Sequence, residues 1–388
     1  MTGTRSKDTK ITEVTAGSRT RFRVVLDTGT HADGRRRQTT KTFDSRKAAK
    51  AWLDATRTDV RNEAHVPRDR RTVTHLIDGW LDSRIDVKPA TRECYRNSLA
   101  HAKGRLGHVT AQDVTRADLS RVVVAMLTET VPGGHLRSAS TVRLLVGLLK
   151  QVFAWAVEDG WCRTNPAVKV KVPKDDRLGG ETMTCWTRAE RTAFLTHTAT
   201  DPLAVGWMLT SVGMRRGEVL GLRWADVQLD SVDPTVTIRR TRGLVRRTIV
   251  EGTPKSPASH RTLHLRDLPG LVALLRATRK AQVTQQLAAG PAYAQGDKHG
   301  GYVVADGLGQ PVHPETYSRR FGALCKAAGV RVIRLHDARH TSVTLMLGAG
   351  VPLHLAAAWH GHDKVTMLRV YAHAMPDDLA SAGAALAL

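Results

Sequence analysis

The sequence is poor in cysteine, and its four cysteines are not arranged in pairs. Cys94, Cys162, Cys185 and Cys325 are scattered along the chain with no CxxC spacing. Zinc ribbons need such closely spaced cysteines, and small disulfide-stabilised proteins need a dense, even set. Both classes are therefore excluded, and the pattern favours a reducing, intracellular setting.

Long apolar runs are also missing. A membrane-spanning helix needs about 20 predominantly apolar residues, and no comparable run is present in the sequence. The N-terminal segment MTGTRSKDTK has no apolar stretch of the kind that a secretory signal requires. We therefore expect neither export nor membrane insertion, and predict a cytoplasmic protein.

Acidic residues are scarce beside basic ones. The chain has 36 Asp and Glu against 59 Lys and Arg, a net charge of +23 over 388 residues. Such an excess of positive charge repels itself unless a polyanion neutralises it, and nucleic acid is the commonest polyanion. Charge alone leaves open an acidic membrane surface or a basic but unliganded protein surface. The chain is long enough for two or three domains, and at 41% hydrophobic and 24% charged residues it has the composition of a folded protein.

The first part of the chain, residues 1–66, has the pattern of a small three-stranded sheet with one helix. RFRVVLD at 21–27 alternates like a strand, RRRQTTKTF at 35–43 is a second extended run, and a helix can begin after Asp44 or Ser45. Basic residues on the solvent face of this sheet are candidate phosphate contacts, although such residues also protect sheet edges. They are Arg21, Arg23, Arg35, Arg36, Arg37 and Lys41.

Two further domains are predicted after an Arg-rich connector, HVPRDRRT at 65–72. Residues 72–174 contain several segments with apolar residues at three and four spacing, which indicates a helical domain. A charged linker with Pro and paired Gly, KVKVPKDDRLGG at 169–180, precedes residues 181–388. There, helices flank a short antiparallel sheet at 235–265. The predicted fold class is mainly α with small β-sheets.

Four segments of the last domain place a cation or a proton-transferring group beside a turn. They are SVGMRRGEVLGLRWADV (211–227), TPKSPASHRTLHL (253–265), RLHDARHTSVTLMLGAGVPL (334–353) and AWHGHDKVTMLRVYAH (358–373). Taken singly, each has an ordinary explanation. Arg215 and Glu218 could form a surface ion pair of little energetic weight, and Lys255 could be a solvated hairpin lysine. His336 and His340 have the spacing of zinc ligands in HExxH, but no Glu lies between them to act as the base.

Taken together, the four segments resemble the tyrosine recombinase or phage integrase family. The first conserved box of the family resembles GMRRGEVLGLRWADV. The family's strand pair with a catalytic lysine resembles TPKSPASHRTLHL, and its His-x-x-Arg-His box resembles HDARHT. Gly361-His362 is similar to the Leu-Gly-His element, and a tyrosine follows nine residues later in VYAH. One departure is that His360 stands where the family usually has Leu; we expect it to be a packing or surface replacement.

The resemblance assigns a role to each site residue. The implied catalytic residues are Arg215, Lys255, His336, Arg339, His362 and Tyr371, with Glu218 and His340 in support. Tyr371 is the implied nucleophile, forming a covalent 3′-phosphotyrosine, and His336 is the expected proton acceptor. His362 is expected to donate a hydrogen bond to the phosphate and Lys255 to protonate the leaving 5′ oxygen. No metal and no ATP are implied.

The resemblance covers nearly the whole chain and implies an arm-type DNA-binding domain (1–66), a core-binding domain (72–174) and a catalytic domain (181–388). It implies that the partners are double-stranded DNA with core and arm-type attachment sites, three further copies of the chain in a homotetramer, a directionality factor and a host DNA-bending protein. The C-terminal tail PDDLASAGAALAL could dock on a neighbouring protomer.

Three other functions remain open from the sequence. The chain could be an architectural DNA-binding protein with an inactive recombinase-like domain, although no catalytic position is substituted. It could be a metal-dependent relaxase or nuclease, but Gly361 separates the paired histidines where a bulky residue is expected. It could also be a type IB topoisomerase-like enzyme that relaxes DNA as a monomer; the arm-like N-terminal domain favours recombination.

Overall fold

The computed structural model describes residues 11–16, 19–30, 34–61, 66–173, 184–254, 257–294, 296 and 299–371. Lys255 and the tail at 376–388, two subjects of the sequence-based predictions, lie outside these residues. The chain divides into two compact units, Met1–Arg177 and Leu178–Leu388.

The first unit begins with an antiparallel sheet and one helix, followed by a group of helices. The strands are β1 Ile11–Ala16, β2 Arg19–Thr30 and β3 Arg36–Phe43, and the helices are α1 Arg46–Arg61, α2 Val73–Ser83, α3 Pro89–Leu106, α4 Arg116–Thr128 and α5 Ala139–Glu158. The sheet has the order β1-β2-β3. Ser45 Oγ accepts a hydrogen bond from the backbone N–H of Ala48 and so caps the start of α1.

The sheet has its own small core against α1, formed by Val24, Leu26, Ala49 and Leu53. Opposite residues in an antiparallel pair lie on one face, so the pairing of Phe22 with Phe43 and of Val24 with Lys41 sets which face is buried.

The predicted basic residues do not share one solvent face. Arg21 and Arg23 alternate with the buried residues of β2 and lie on the outer face, but Lys41 lies on the helix side, with Nζ 5.4 Å from the ring centre of Phe43 and 5.9 Å from that of Trp52. Arg37 lies four residues before Lys41 on β3 and therefore on the same face of the strand. The prediction of a single stripe is therefore wrong in its geometry, because strand alternation sends neighbouring basic residues to opposite faces.

The helices of the first unit enclose a separate and larger core. Its centre is α5, whose residues Val142, Leu145, Leu149, Val152 and Phe153 are buried. Within the described part of the chain, α5 alone is long and apolar enough to span a membrane by composition. Its apolar residues pack instead against α2, α3 and α4, as expected for the central helix of a bundle.

The second unit mixes helices with two small antiparallel sheets. Its helices are α6 Arg188–His197, α7 Ala204–Ser211, α8 Arg216–Leu220, α9 Pro269–Ala289, α10 Pro314–Ala327, α11 Leu335–Gly348, α12 Leu353–His360 and α13 Lys364–Tyr371. Its strands are β4 Val227–Gln228, β5 Thr235–Ile238, β6 Thr241–Val245, β7 Thr248–Gly252 and β8 Arg261–His264. The single sheet expected at 235–265 is in fact two, β4-β5-β8 and the hairpin β6-β7.

The core of the second unit holds α7 and α10, which precede the motifs at 211–227 and 334–353. Trp207 on α7 stacks on Tyr317 of α10, with ring centres 4.2 Å apart, and the Tyr317 hydroxyl is hydrogen-bonded to Thr210. Trp186 donates from Nε1 to the carbonyl of Arg331. These buried contacts hold α7 and α10 in place, while α11 packs against α7. The predicted fold class, mainly α with small β-sheets, is confirmed.

Candidate active site

The sequence-predicted residues of the second unit converge on one place in the fold. Arg215 immediately precedes α8 and Glu218 lies on it, while His336, Arg339 and His340 lie on α11. His362 follows α12, and Tyr371 is the last residue of α13. The contacts below join all of these residues except Lys255, which is outside the described residues.

Arg215 is oriented by a carboxylate three residues along the chain. Its Nη1 donates to Glu218 Oε1 at 2.7 Å, and its backbone N–H donates to Oε2 at 2.9 Å. The other terminal nitrogen donates to the carbonyl of Gly361 at 3.0 Å, and Nη1 also reaches Ser259 Oγ at 3.3 Å. The Glu218 side chain is 1% exposed. This is therefore not the solvated surface pair that the spacing alone allowed.

Arg261 on β8 is a functional candidate that the sequence did not reveal. Its guanidinium binds Glu218 through two contacts of 3.1 and 2.9 Å and donates from Nε to the carbonyl of Trp359 at 2.6 Å. Burial by itself raises the pKa of Glu218, but the hydrogen bonds and charge of Arg261 outweigh it, and the pKa stays below its usual range. A signal was present: Arg261 lies two and four residues before the buried Leu263 and Leu265, a spacing that puts the arginine on the same, inward side of the strand.

Arg339 is almost completely buried and is held by three segments. Nη1 donates to the carbonyl of Gly213 at 2.5 Å, Nη2 donates to the carbonyl of His360, and Nε donates to His362 Nε2 at 3.0 Å. Burial, followed by the charge on Arg215, lowers the pKa of Arg339 to about 9, which still leaves it cationic at neutral pH. The two arginines therefore place two positive charges at one site.

His360, the departure from the family pattern, is buried rather than on the surface. Its Nδ1 is hydrogen-bonded to the carbonyl of Ala356 at 2.8 Å, and Nε2 to Ser342 Oγ at 3.0 Å. Burial, with the nearby charge of Arg339, lowers its pKa well below the usual value, so the ring is neutral. A Cβ added to Gly213 would lie 2.4 Å from His360 Nε2, so the imidazole occupies the space that this glycine leaves.

The glycine between the two histidines is required by the backbone. Gly361 ends α12 in the left-handed conformation, with φ 59° and ψ 47°. A Cβ there would lie 2.7 Å from the carbonyl oxygen of Ala258. Glycine avoids both the strain and the collision, and its own carbonyl is free to accept from Arg215.

Tyr371 is buried, and its hydroxyl is hydrogen-bonded to His340 Nδ1. Burial raises the pKa of Tyr371 above its usual value, so the phenol is protonated in this arrangement. Burial, with the neighbouring charge of His336, lowers the pKa of His340 to about 4. The partner of the tyrosine hydroxyl is thus His340, whereas the sequence favoured His336 as the proton acceptor.

His336 lies beside His340, and His362 lies beside Tyr371. The ring centre of His336 is 4.9 Å from that of His340, and the ring centre of His362 is 6.2 Å from that of Tyr371. Burial, then the charges of Arg339 and Arg215, lowers the pKa of both, that of His362 to about 3. Both imidazoles are therefore neutral at physiological pH.

A cleft of about 330 Å³ opens beside these groups. Residues from the α7–α8 turn, α10 and α11 line it: Met214, Arg215, Arg216, Gly217, Ser318, Leu335, His336 and Arg339. Three guanidinium groups, those of Arg215, Arg216 and Arg339, and one neutral imidazole thus share one cleft, a combination suited to a phosphate group with a proton to transfer. Within the described ranges, no group of three or more His, Cys, Asp or Glu is arranged to hold a metal ion.

The comparison with family models places this site in a known domain. Residues 189–377 match the model of the phage integrase family. That match spans Arg215, Glu218, Arg261, the histidines of α11 and Tyr371, so every contact described above lies within it.

Known proteins are similar over most of the chain. It is 24% identical over 373 residues to a tyrosine recombinase XerC-like protein of Caldanaerobacter subterraneus, covering 92% of this chain and 93% of that protein. It is 24% identical over 352 residues to the integrase of Mycobacterium phage L5, covering 87% of each.

Solved structures share the fold. The Tn1549 transposon integrase in complex with transposon right end DNA has a TM-score of 0.66 at 20% identity, covering 82% of this chain and 100% of that one. A lambda integrase tetramer bound to a Holliday junction has a TM-score of 0.56 at 16% identity, covering 90% and 91% of the two chains.

Proposed function

The chain is a site-specific DNA recombinase of the tyrosine recombinase or phage integrase family, and we propose that it breaks and rejoins DNA with Tyr371 as the nucleophile. The observation that carries this proposal is that Arg215, His336 and Arg339 line one cleft, while His362 and Tyr371 come from two further segments, His362 bonded to Arg339 and its ring 6.2 Å from that of Tyr371. The reaction serves the integration or excision of a mobile element.

The two arginines are proposed to bind the scissile phosphate. Attack on a phosphodiester places extra negative charge on its two nonbridging oxygens in the transition state. A planar guanidinium can donate paired hydrogen bonds to such oxygens, and lysine cannot copy this geometry. Arg215 is aligned by Glu218, and Arg339 by two backbone carbonyls and His362, so both donors are preorganised before DNA arrives.

The tyrosine hydroxyl lies outside the cleft in this structure. It is buried against His340, and Tyr371 does not line the arginine-containing cleft. We propose that DNA binding releases the hydroxyl from His340 towards the cleft. His336 lines that cleft as a neutral imidazole and is our candidate for the group that accepts the phenol proton.

Lys255 is proposed to protonate the leaving 5′ oxygen. The described residues on either side of it support this role: β7 ends at Gly252, and Ser259 Oγ is in contact with Arg215. Positive charge nearby lowers the pKa of a lysine, and a lowered pKa favours proton donation.

Cleavage and rejoining need no external source of energy. As the tyrosine oxygen bonds to phosphorus, the bond from phosphorus to the 5′ oxygen breaks, and the proton from Lys255 leaves with that oxygen. The 3′-phosphotyrosine keeps the phosphodiester energy, so a 5′ hydroxyl from a second duplex can reverse the step. His362 is proposed to donate a hydrogen bond to the phosphate.

The partners follow from charge and from the relatives. A net charge of +23 suits duplex DNA. The Tn1549 integrase was solved with DNA and the lambda integrase as a tetramer on a Holliday junction. We propose that this chain likewise assembles as a homotetramer on core sites in the cytoplasm, with a directionality factor and a host DNA-bending protein.

Three domains are proposed from the separate cores. Residues 1–66, with a sheet and helix core, would bind arm-type sites through Arg21, Arg23 and neighbouring basic residues. Residues 72–174 would bind the core site, and residues 181–388 would carry the chemistry.

The proposal is tested with a nicked duplex that spans the boundary of the mobile element, in EDTA. The nick releases a short 5′-hydroxyl fragment after cleavage, so the covalent protein–DNA adduct accumulates. We expect an adduct with the native chain and none with Tyr371→Phe. An unchanged adduct in the variant, or cleavage that requires added metal, contradicts the proposal.

A further inference from the structure

The hairpin formed by β6 and β7 ends in an unusual turn. Val245 pairs with Thr248, so the turn consists only of Arg246 and Arg247. Their φ angles are 49° and 63°, and among the described residues no other non-glycine residue has a positive φ. Two-residue hairpin turns with both φ angles positive strongly prefer Asn-Gly or Gly-Gly, because a Cβ is crowded in this conformation. Two arginines in these places are therefore unfavourable for the hairpin itself.

The base of this hairpin is fixed against the catalytic cluster. The backbone of Arg242 on β6 packs closely on α8, so that a Cβ on Gly221 would lie 3.1 Å from the Arg242 nitrogen. The buried Arg242 side chain donates to the carbonyl of Val312 at 2.7 Å, and Glu251 on β7 forms an ion pair with Arg223 at 3.1 Å. Helix α8 is the helix that Arg215 precedes. The hairpin is thus anchored to the helix that follows Arg215.

The outer part of the hairpin differs from its base. Arg246, Arg247 and the next three residues, Thr248, Ile249 and Val250, are exposed, and the segment GLVRRTIV at 243–250 contains no acidic residue. Five residues of extended strand reach about 16 Å from the base. The two arginines therefore lie at the exposed and locally cationic end of the hairpin, opposite its anchored base.

We propose that Arg246 and Arg247 contact the phosphate backbone of the DNA outside the cleavage centre, and that this contact is the reason for arginine in a turn suited to glycine. Backbone strain of this kind is typical of functional positions, where another requirement outweighs local preference. Phosphate contacts position a protein on the duplex without reading its sequence. The inference rests on the proposed function and specifies a second DNA-contacting surface for the same site.

A double variant, Arg246→Asn with Arg247→Gly, separates local stability from DNA contact. Asn-Gly suits the turn, so we expect the thermal unfolding midpoint to rise or stay unchanged. The affinity of the full chain for a duplex of about 30 base pairs should fall, and the slope of log affinity against log salt between about 50 and 200 mM should decrease by about 1.8 if two phosphate contacts are lost. Arg246→Lys with Arg247→Lys keeps both charges and should keep the slope.

A matched control removes the same charge elsewhere. Arg279→Gln with Lys280→Gln deletes two exposed cations of α9. If this pair lowers the salt slope as much as the hairpin variant does, or if the hairpin variant binds DNA like the native chain, the proposal is overturned. Affinity lost only in assembly between protomers, with binding of a single copy unchanged, also overturns it. Absence of a covalent adduct in the native chain would instead contradict the proposed chemistry and leave this binding comparison valid.

Discussion

Arg261 and Glu218 form a buried ion pair in which two nitrogens meet two oxygens. The Nη1–Oε1 and Nη2–Oε2 distances are 3.1 and 2.9 Å, and the side chains are 7% and 1% exposed. The same carboxylate binds Arg215, so one buried acid holds the guanidinium that faces the cleft and the one that ties β8 to the end of α12. The position of Arg215 therefore depends on Glu218 and, through it, on Arg261, and neither of these residues lines the cleft.

Arg261→Gln should damage both stability and cleavage. It leaves the buried Glu218 charge with one guanidinium partner instead of two, and loss of a partner from a buried pair costs about 3 kcal/mol. Urea unfolding measures the stability and the rate of adduct formation measures cleavage. Arg261→Gln with Glu218→Gln removes the uncompensated charge, so stability should partly recover while cleavage stays low. Recovery of both together would mean that the pair does not position Arg215.

Arg215→Lys should reduce adduct formation about a hundredfold, the cost of one lost transition-state contact of roughly 3 kcal/mol. Stability should change little, because lysine keeps a positive charge at position 215 and Glu218 keeps its pair with Arg261. Single-turnover kinetics at saturating DNA is the measurement. Arg216→Lys is the matched control in the same cleft, where Arg216 donates to Ser318; we expect less than a tenfold effect. Equal losses in the two variants would remove the special role of Arg215.

The pH dependence of cleavage should distinguish His336 from His340. A general base must be neutral, and burial with the charges of Arg339 and Arg215 lowers the pKa of His336 below 6.5. The rate of adduct formation should therefore be level near neutral pH and fall only in more acid solution. His336→Ala should form the adduct at least about a hundredfold more slowly, and its rate should no longer show this fall in acid solution, the acid limb of the profile.

His340→Asn provides the comparison for that profile. It removes the resting partner of the Tyr371 hydroxyl, so we expect a smaller change in rate with the acid limb retained. If the limb disappears in His340→Asn and persists in His336→Ala, the base is His340.

Stability should fall as the solution becomes acid. His340 and His362 have folded-state pKa values of about 4 and about 3, against 6.5 for the ordinary side chain. The unfolded chain therefore binds more protons than the folded chain below pH 6.5, and the free energy of unfolding decreases as pH falls from 6.5 towards 3. Denaturant unfolding across this range measures the effect.

Replacing His340 or His362 by Asn should flatten that dependence. His354→Gln, at an exposed position on α12, is the control for any histidine replacement. A slope that is the same in His340→Asn, His362→Asn and the native chain would show that the buried imidazoles are not its source.

Deleting residues 1–66 should spare cleavage of a core site and abolish integrative recombination. The sheet and α1 have a core of their own, and the described ion pair between Asp59 and Arg163, a 2.8 Å contact with Arg163 64% exposed, contributes little. Adduct formation and recombination between attachment sites are measured separately. Normal recombination by the shortened chain would contradict the arm-binding assignment.

The sequence determined the elements because their signals are local. Apolar residues at three and four spacing indicated the helices of residues 72–174, and Asp44 or Ser45 indicated the start of α1, which the structure shows capped by Ser45. The motif residues were also visible, because each motif is a short string. The pairing of the strands was harder to predict from sequence. The single sheet expected at 235–265 is in fact two sheets, because β5 pairs with β4 and β8, while β6 and β7 between them pair with each other.

Tertiary structure alone decided which groups touch. Arg261 is hydrogen-bonded to Glu218, 43 residues away in the sequence, and Arg339 to the carbonyl of Gly213, 126 residues away. Packing also decided that the tyrosine hydroxyl rests on His340, that His360 is a buried and neutral ring, and that Lys41 lies on the helix side of its sheet. Local patterns specify residue type and periodicity, but burial, hydrogen-bond partners and the pKa shifts that follow arise only when distant segments are packed together.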